Sequence, residues 1–127
     1  MTDPTALVYG RIGAEGFEKL VHAFYAKVKH DDVLAPLYPP DDFEGAEERL
    51  RSFLIYRFGG PETYLAERGA PRLRMRHAPF RVDQAARDRW VALMEQAVQE
   101  LAPPADVEPV LLGYLRETAT FLINSPG

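Results

Sequence analysis

One histidine in this chain stands inside a cluster of arginines. The stretch RLRMRHAPFRVD, residues 72–83, sets His77 beside Arg72, Arg74, Arg76 and Arg81, with Arg68 just upstream. No acid separates Arg68 from Val82, in a protein whose formal net charge is −4. Imidazole can ligate a metal or carry a proton near neutrality, and guanidinium holds a carboxylate or phosphate through a forked pair of hydrogen bonds. The combination suits an anionic ligand that also offers something for an imidazole to hold. The plain alternative is a hydrogen-bonded bystander histidine beside a solvated basic face, which is the usual fate of both.

The other chemistry-bearing residues narrow the choice. The chain has no cysteine, which removes disulfides, thiolate nucleophiles, iron–sulfur ligation and sulfur-based zinc sites. His22, His30 and His77 include no pair four residues apart, so a helical two-histidine metal site fails. His22 falls off the apolar stripe of its segment and His30 sits in a polar turn, so both are read as bystanders. Ser52 and Ser125 are the only serines, and neither stands in a recognisable nucleophile arrangement. Gly59-Gly60-Pro61 lacks the spacing of a phosphate loop. One metal needs a single protein ligand: haem iron takes four nitrogens from the porphyrin and asks the protein only for an axial group such as histidine. Haem also carries two propionates at one edge of an apolar disc. Imidazole for the iron and guanidinium for the propionates would use both halves of the cluster.

A haem pocket also needs groups that touch a bound gas. Tyr25, Tyr38 and Trp90 each combine a ring fit for burial with a polar handle; tyrosine donates or accepts, and tryptophan only donates. For any one of them, core packing is the simpler reading. The spacing does not say whether the three converge.

These residues lie on helices. In AEGFEKLVHAFYAKV, Phe17, Leu20, Val21, Phe24, Tyr25 and Val28 form one apolar face. A second helix starts at Asp41 or Asp42, buries Phe43, Ala46, Leu50, Phe53, Leu54 and Phe58, and stops at Gly59-Gly60. A third begins at Asp83 and carries Ala86, Trp90, Leu93, Met94, Ala97 and Leu101. A fourth follows Asp106, with Val110, Leu111, Tyr114, Leu115, Thr118, Phe121 and Leu122 on one side. HDDVLAPLYPPDD predicts a turn or two of helix stopped by Pro39-Pro40. Residues 59–82 predict two short helices, one running from Pro61 to Gly69 and one of about two turns carrying His77. Asp3-Pro4 has the form of an N-cap followed by proline at the first helical position. No alternation of polarity persists long enough for a strand, so the fold class is all-α.

At 127 residues, 46% of them hydrophobic and 27% charged, residues 1–127 are expected to form one domain with a real core. The acidic balance argues against nucleic acid as a partner. The N-terminus lacks a signal-peptide layout and no apolar run reaches membrane-spanning length, so the expected location is cytoplasmic, without membrane association.

The chain resembles the truncated haemoglobins of group II over essentially its whole length. The resemblance is carried by FYAKV at 24–28, LYPPDDFEGAEERLRSFL at 37–54, GGP at 59–61, RLRMRHAPFRV at 72–82, the helix with Trp90, and INSP at 123–126. It implies a two-over-two helical sandwich around haem b, with His77 as the proximal iron ligand. By the same resemblance Tyr25, Tyr38 and Trp90 are the distal hydrogen-bonding residues. Leu50 is the apolar residue above the iron, with Phe53 also against the haem. Ala46 takes the position where many globins place a distal histidine. It cannot hydrogen-bond a ligand and leaves an open side route. Arg49, Arg74 and Arg76 are the propionate candidates. The family often has paired glycines between its first two helices, where this chain reads Ile12-Gly13-Ala14, a tighter constraint on that turn.

The function so implied is reversible binding of O2, CO or NO in a hydrogen-bonding distal pocket, by a monomer or homodimer. The alternatives are a redox enzyme, an NO dioxygenase or peroxidase served by an unidentified electron donor, and a haem-free helical interaction module.

Overall fold

The computed structural model describes residues 4–77 and 81–125. All regular structure among them is helical. A 3-10 turn (Pro4–Leu7) leads into α1 (Val8–Val28), and a second (Ala35–Leu37) precedes α2 (Phe43–Arg57). Two short helices follow, α3 (Thr63–Arg68) and α4 (Leu73–His77), and then α5 (Gln84–Leu101) and α6 (Glu108–Phe121). α1 packs on α2, α5 packs on α6, and the two pairs meet where α1 lies against α5. This is the two-over-two sandwich, with α3 and α4 bridging between the pairs.

The apolar stripes explain the crossing. Phe17, Leu20, Val21, Phe24, Tyr25 and Val28 of α1 are all buried, against Leu54 and Phe58 from the α2 side and Met94, Ala97 and Val98 of α5. Full burial of such a side chain contributes about 1.5–3 kcal/mol, which outweighs any local helix preference. Gly13, Gly59 and Gly69 take positive φ, where other residues would be strained, and the first two shape the packing of α1. Gly13 (φ 69°, ψ 175°) bends α1 near its start. Gly59 (φ 97°) meets the N-terminal turn so closely that a Cβ would lie 2.0 Å from the Ala6 carbonyl oxygen.

Several boundaries differ from the sequence expectation. α3 opens at Thr63 rather than Pro61, and α4 has five residues, about one turn where two were expected. Asp42 is the N-cap residue of α2 but makes no capping bond, because its carboxylate accepts from Arg49 at 3.1 Å. Val107, not Asp106, caps α6; the Asp106 carboxylate is taken by Arg11, whose hydrogen bond holds its pKa below the usual value. Asp83 caps α5 as expected, accepting from the Ala86 N–H at 2.9 Å. Phe121, expected on the packed side of α6, is 55% exposed and lies under the Arg74 guanidinium, 5.3 Å from the ring centroid. Asp3, the Ala78-Pro79-Phe80 motif and Pro126 lie outside the described residues.

Candidate functional site

Between the two helix pairs lies a cavity of about 600 Å³. That is the size of a cofactor site, and its lining is mostly apolar. Leu50, Phe53 and Leu54 of α2, Leu73 of α4, Trp90 of α5, and Leu115 and Leu122 toward the end of α6 all face it. Leu50, Leu73, Trp90 and Leu122 are only half-buried although they sit on apolar stripes, because they border open space rather than other side chains.

His77 reaches this cavity from the last residue of α4. Its Nδ1 lies 2.8 Å from the Leu73 carbonyl oxygen. A carbonyl can only accept, so Nδ1 carries the proton and the ring lone pair sits on Nε2. That bond selects one tautomer and one ring rotation, the arrangement by which a protein prepares an imidazole to ligate a metal. His22 and His30 are exposed; His22 faces Glu47 at 3.3 Å. Among the described residues no three His, Cys, Asp or Glu side chains come together in a cluster able to hold a metal ion. An iron centre here therefore needs a macrocycle that brings its own nitrogens. The cavity suits one: apolar walls for the disc, a single oriented imidazole, and cationic side chains at the border.

Tyr25 of α1, Tyr38 after the second 3-10 turn, and Trp90 of α5 converge on the same cavity. The Tyr25 and Tyr38 rings meet edge-on at 5.5 Å, and Phe24 joins Tyr25 to Trp90 with edge-on contacts of 5.1 and 5.2 Å. The polar handles gather around Tyr38, whose hydroxyl feels both Tyr25 and Trp90. Burial pushes the Tyr25 hydroxyl well above the usual tyrosine pKa, reinforced by neighbouring Tyr38 and the bond to it. Burial raises Tyr38 too, against the influence of Tyr25 and Trp90, which lower it. Both phenols are therefore neutral at physiological pH.

Ala46 and Leu50, one turn apart on α2, line the cavity beside these groups, with Ala46 buried. Four arginines border it: Arg49, Arg68, Arg76 and Arg87. Arg49 pairs with Asp42. Arg76 donates to the carbonyl oxygens of Arg68 and Pro71, each at 2.7 Å, and of Ala70 at 3.3 Å, so its guanidinium braces the loop before α4. Arg74 is not among the lining residues; it is exposed and covers Phe121. Sequence reasoning missed Arg87, which lies on α5, a helix away from the arginine cluster. It donates to Thr120 Oγ1 at 3.0 Å and to Asp88 at 3.1 Å.

Comparison with known proteins gives concordant matches. Residues 7–123 match the bacterial-like globin family. The chain is 34% identical to the group 2 truncated hemoglobin YjbI of Bacillus subtilis (strain 168), over 91% of this chain and 87% of that protein. It is similar in structure to a thermostable hemoglobin from the actinobacterium Thermobifida fusca, with TM-score 0.91 and 47% identity over 94% of this chain and 98% of the other. It is also similar to the group II truncated hemoglobin from Bacillus anthracis, with TM-score 0.90 and 31% identity over 94% and 98% of the two chains.

Proposed function

The chain belongs to the bacterial-like globins as a group II truncated haemoglobin, and on that premise we propose that its cavity holds haem b, with His77 as the axial ligand, for reversible binding of O2, CO and NO. The observation that carries this is the oriented imidazole: Nδ1 is committed to Leu73, and the ring borders an apolar cavity edged by arginines. When bound, haem supplies the iron centre at which a diatomic gas is held. The chain supplies the rest. Leu50, Phe53 and Leu54 exclude water from the disc. Arg49 and Arg87, both on the cavity border, are the candidates for the propionates; Arg76 supports the same edge while bracing the loop.

On the ligand side, Tyr25 and Tyr38 offer hydroxyls and Trp90 an indole N–H, all three bordering the cavity. Such preorganised donors favour a ligand that carries partial negative charge, and they do so without reorganising when it arrives. Ala46 contributes no donor and leaves room for entry. A pocket with this many donors suits retention more than delivery. That also supports a second reading, in which O2 oxidises NO to nitrate, or peroxide is reduced, with electrons from an external donor.

Haemin titration tests the first reading. One equivalent per chain should produce a Soret band, His77→Ala should lose stable uptake, and His22→Ala and His30→Ala should keep it. Retention by His77→Ala with loss in either other variant would refute the assignment. Rapid mixing with NO under oxygen, set beside the oxygen off-rate, separates binding from turnover.

A further inference from the structure

We infer that Asn124, beyond the end of α6, is a positioning residue for His77. It clasps both ends of the stretch that runs from the ligand to α5, and so fixes the backbone beneath the imidazole. The inference rests on the reading of His77 as the axial ligand.

α4 has only five residues, too few to hold a helical turn by their own hydrogen bonds. His77 is its last residue, so its carbonyl finds no acceptor role within the helix. Asn124 Nδ2 donates to that carbonyl oxygen at 3.2 Å. The same side chain turns its Oδ1 to the far end of the stretch, where it accepts from the Val82 N–H at 2.9 Å. The Asn124 main chain closes the pair, its N–H donating to the Val82 oxygen at 2.8 Å. Ser125 reinforces the clasp: its N–H shares the Val82 oxygen at 3.1 Å, and its hydroxyl donates to Asn124 Oδ1 at 3.0 Å. Val82 is followed by Asp83, the cap of α5, so the clasp is anchored to a long packed helix on each side.

The chemistry demands an amide. Asparagine offers a donor and an acceptor on one short side chain; aspartate offers only acceptors, and alanine neither. The ring of His77 is set by Leu73 within α4, but Leu73 moves with α4. Asn124 ties this one-turn helix to the end of α6 by hydrogen bonds, beside the contact of Arg74 with Phe121. A ligand on a loosely held turn would sit at varied distances and angles from the iron, and would release haem more readily.

The test uses the full chain with haemin and two variants, Asn124→Ala and Asn124→Asp. Three quantities are measured: hydrogen exchange at the Val82 amide, haem loss to an excess of an apoglobin acceptor, and the iron–histidine stretching frequency of the ferrous, ligand-free protein. Losing one hydrogen bond of ordinary strength should raise Val82 exchange and haem loss about tenfold each in Asn124→Ala. Asn124→Asp retains the acceptor for Val82, so its exchange should stay near normal while haem loss still rises and the stretching band shifts or broadens. If Asn124→Ala does not fold, Asn124→Asp carries the comparison. Failure of the unmodified chain to take up haemin would defeat both readings. Uptake with the same loss rate and stretching band in all three proteins would defeat this one alone.

Discussion

The distal residues show how much a single side chain's chemistry reveals and how little its position in the chain does. Tyr25 and Trp90 advertise themselves by lying on apolar stripes with polar handles. Their convergence with Tyr38 is invisible in the sequence, because it depends on α1 crossing α5 and on where the 3-10 turn deposits Tyr38. Likewise, the run of arginines drew attention to residues 68–81, whereas Arg87 reaches the cavity by folding alone. Tyr38 meets the Tyr25 ring edge-on and is the residue that both Tyr25 and Trp90 act on, so it is the expected hub of the donor network. Tyr38→Phe should therefore speed oxygen dissociation most. A charge-assisted bond contributes on the order of 1.5–3 kcal/mol, or roughly ten- to hundredfold in rate. Trp90→Phe should speed it less, and Tyr25→Phe only modestly, because each leaves Tyr38 one anchor. The Tyr25→Phe, Trp90→Phe double variant removes both anchors and should lose more than the sum of the single effects in free energy. Stopped-flow off-rates for the four proteins decide this; strict additivity would mean independent contacts and no network.

At the scale of elements, periodicity located the four long helices to within a few residues, and Asp83 and Gly59-Gly60 marked boundaries that the structure keeps. The misses share a cause. Asp42 and Asp106 have the right chemistry for caps, but each carboxylate is claimed by an arginine: Arg49, two turns along α2 itself, and Arg11 of α1, brought near by tertiary structure. The short length of α4 follows from proline and glycine punctuation around it only once the loop's own carbonyls are seen to be held by Arg76. The turn inside α1 is the informative case. Where the resemblance leads one to expect paired glycines, this chain has Gly13-Ala14, and of the two only Gly13 takes a positive φ. Ala14 stands where alanine is comfortable, so the departure from the family pattern leaves the bend intact. Gly13→Ala should cost about 1–3 kcal/mol, since a φ of 69° with ψ of 175° is almost exclusive to glycine. No atom lies within 4 Å of the added Cβ, so the whole cost is backbone strain. Ala14→Gly should cost about 0.5–1 kcal/mol from chain entropy. Denaturant unfolding of the two variants checks the order. Equal costs, or a larger one for Ala14→Gly, would place the bend elsewhere.

For the molecule as a whole, the core and the cavity divide the apolar side chains between them. Phe17, Phe24, Phe58, Leu20, Met94 and Leu111 are fully packed around the crossing of the helix pairs. Leu50, Leu73, Trp90 and Leu122 instead present apolar surface to a space of about 600 Å³. The sequence could place all of them except Leu73 on inward stripes but could not say which would meet protein and which would meet a ligand, because periodicity records only the side of the helix. A fold that reserves part of its interior for another molecule gains stability when that molecule binds the native state alone. At a free haemin concentration one hundredfold above its dissociation constant the gain is about 2.7 kcal/mol, which for a domain of this size raises the melting temperature by roughly 10 °C. Removing haem from the loaded protein should reverse that shift, and calorimetry with and without one equivalent of haemin measures it. His77→Ala should melt near the haem-free temperature under both conditions, because weakened binding leaves little to couple to unfolding. Leu50→Ala should lower both melting temperatures only slightly, since its side chain packs against the cavity more than against the core. A melting temperature indifferent to haemin, with haemin shown to be bound, would mean that the ligand sits outside this cavity.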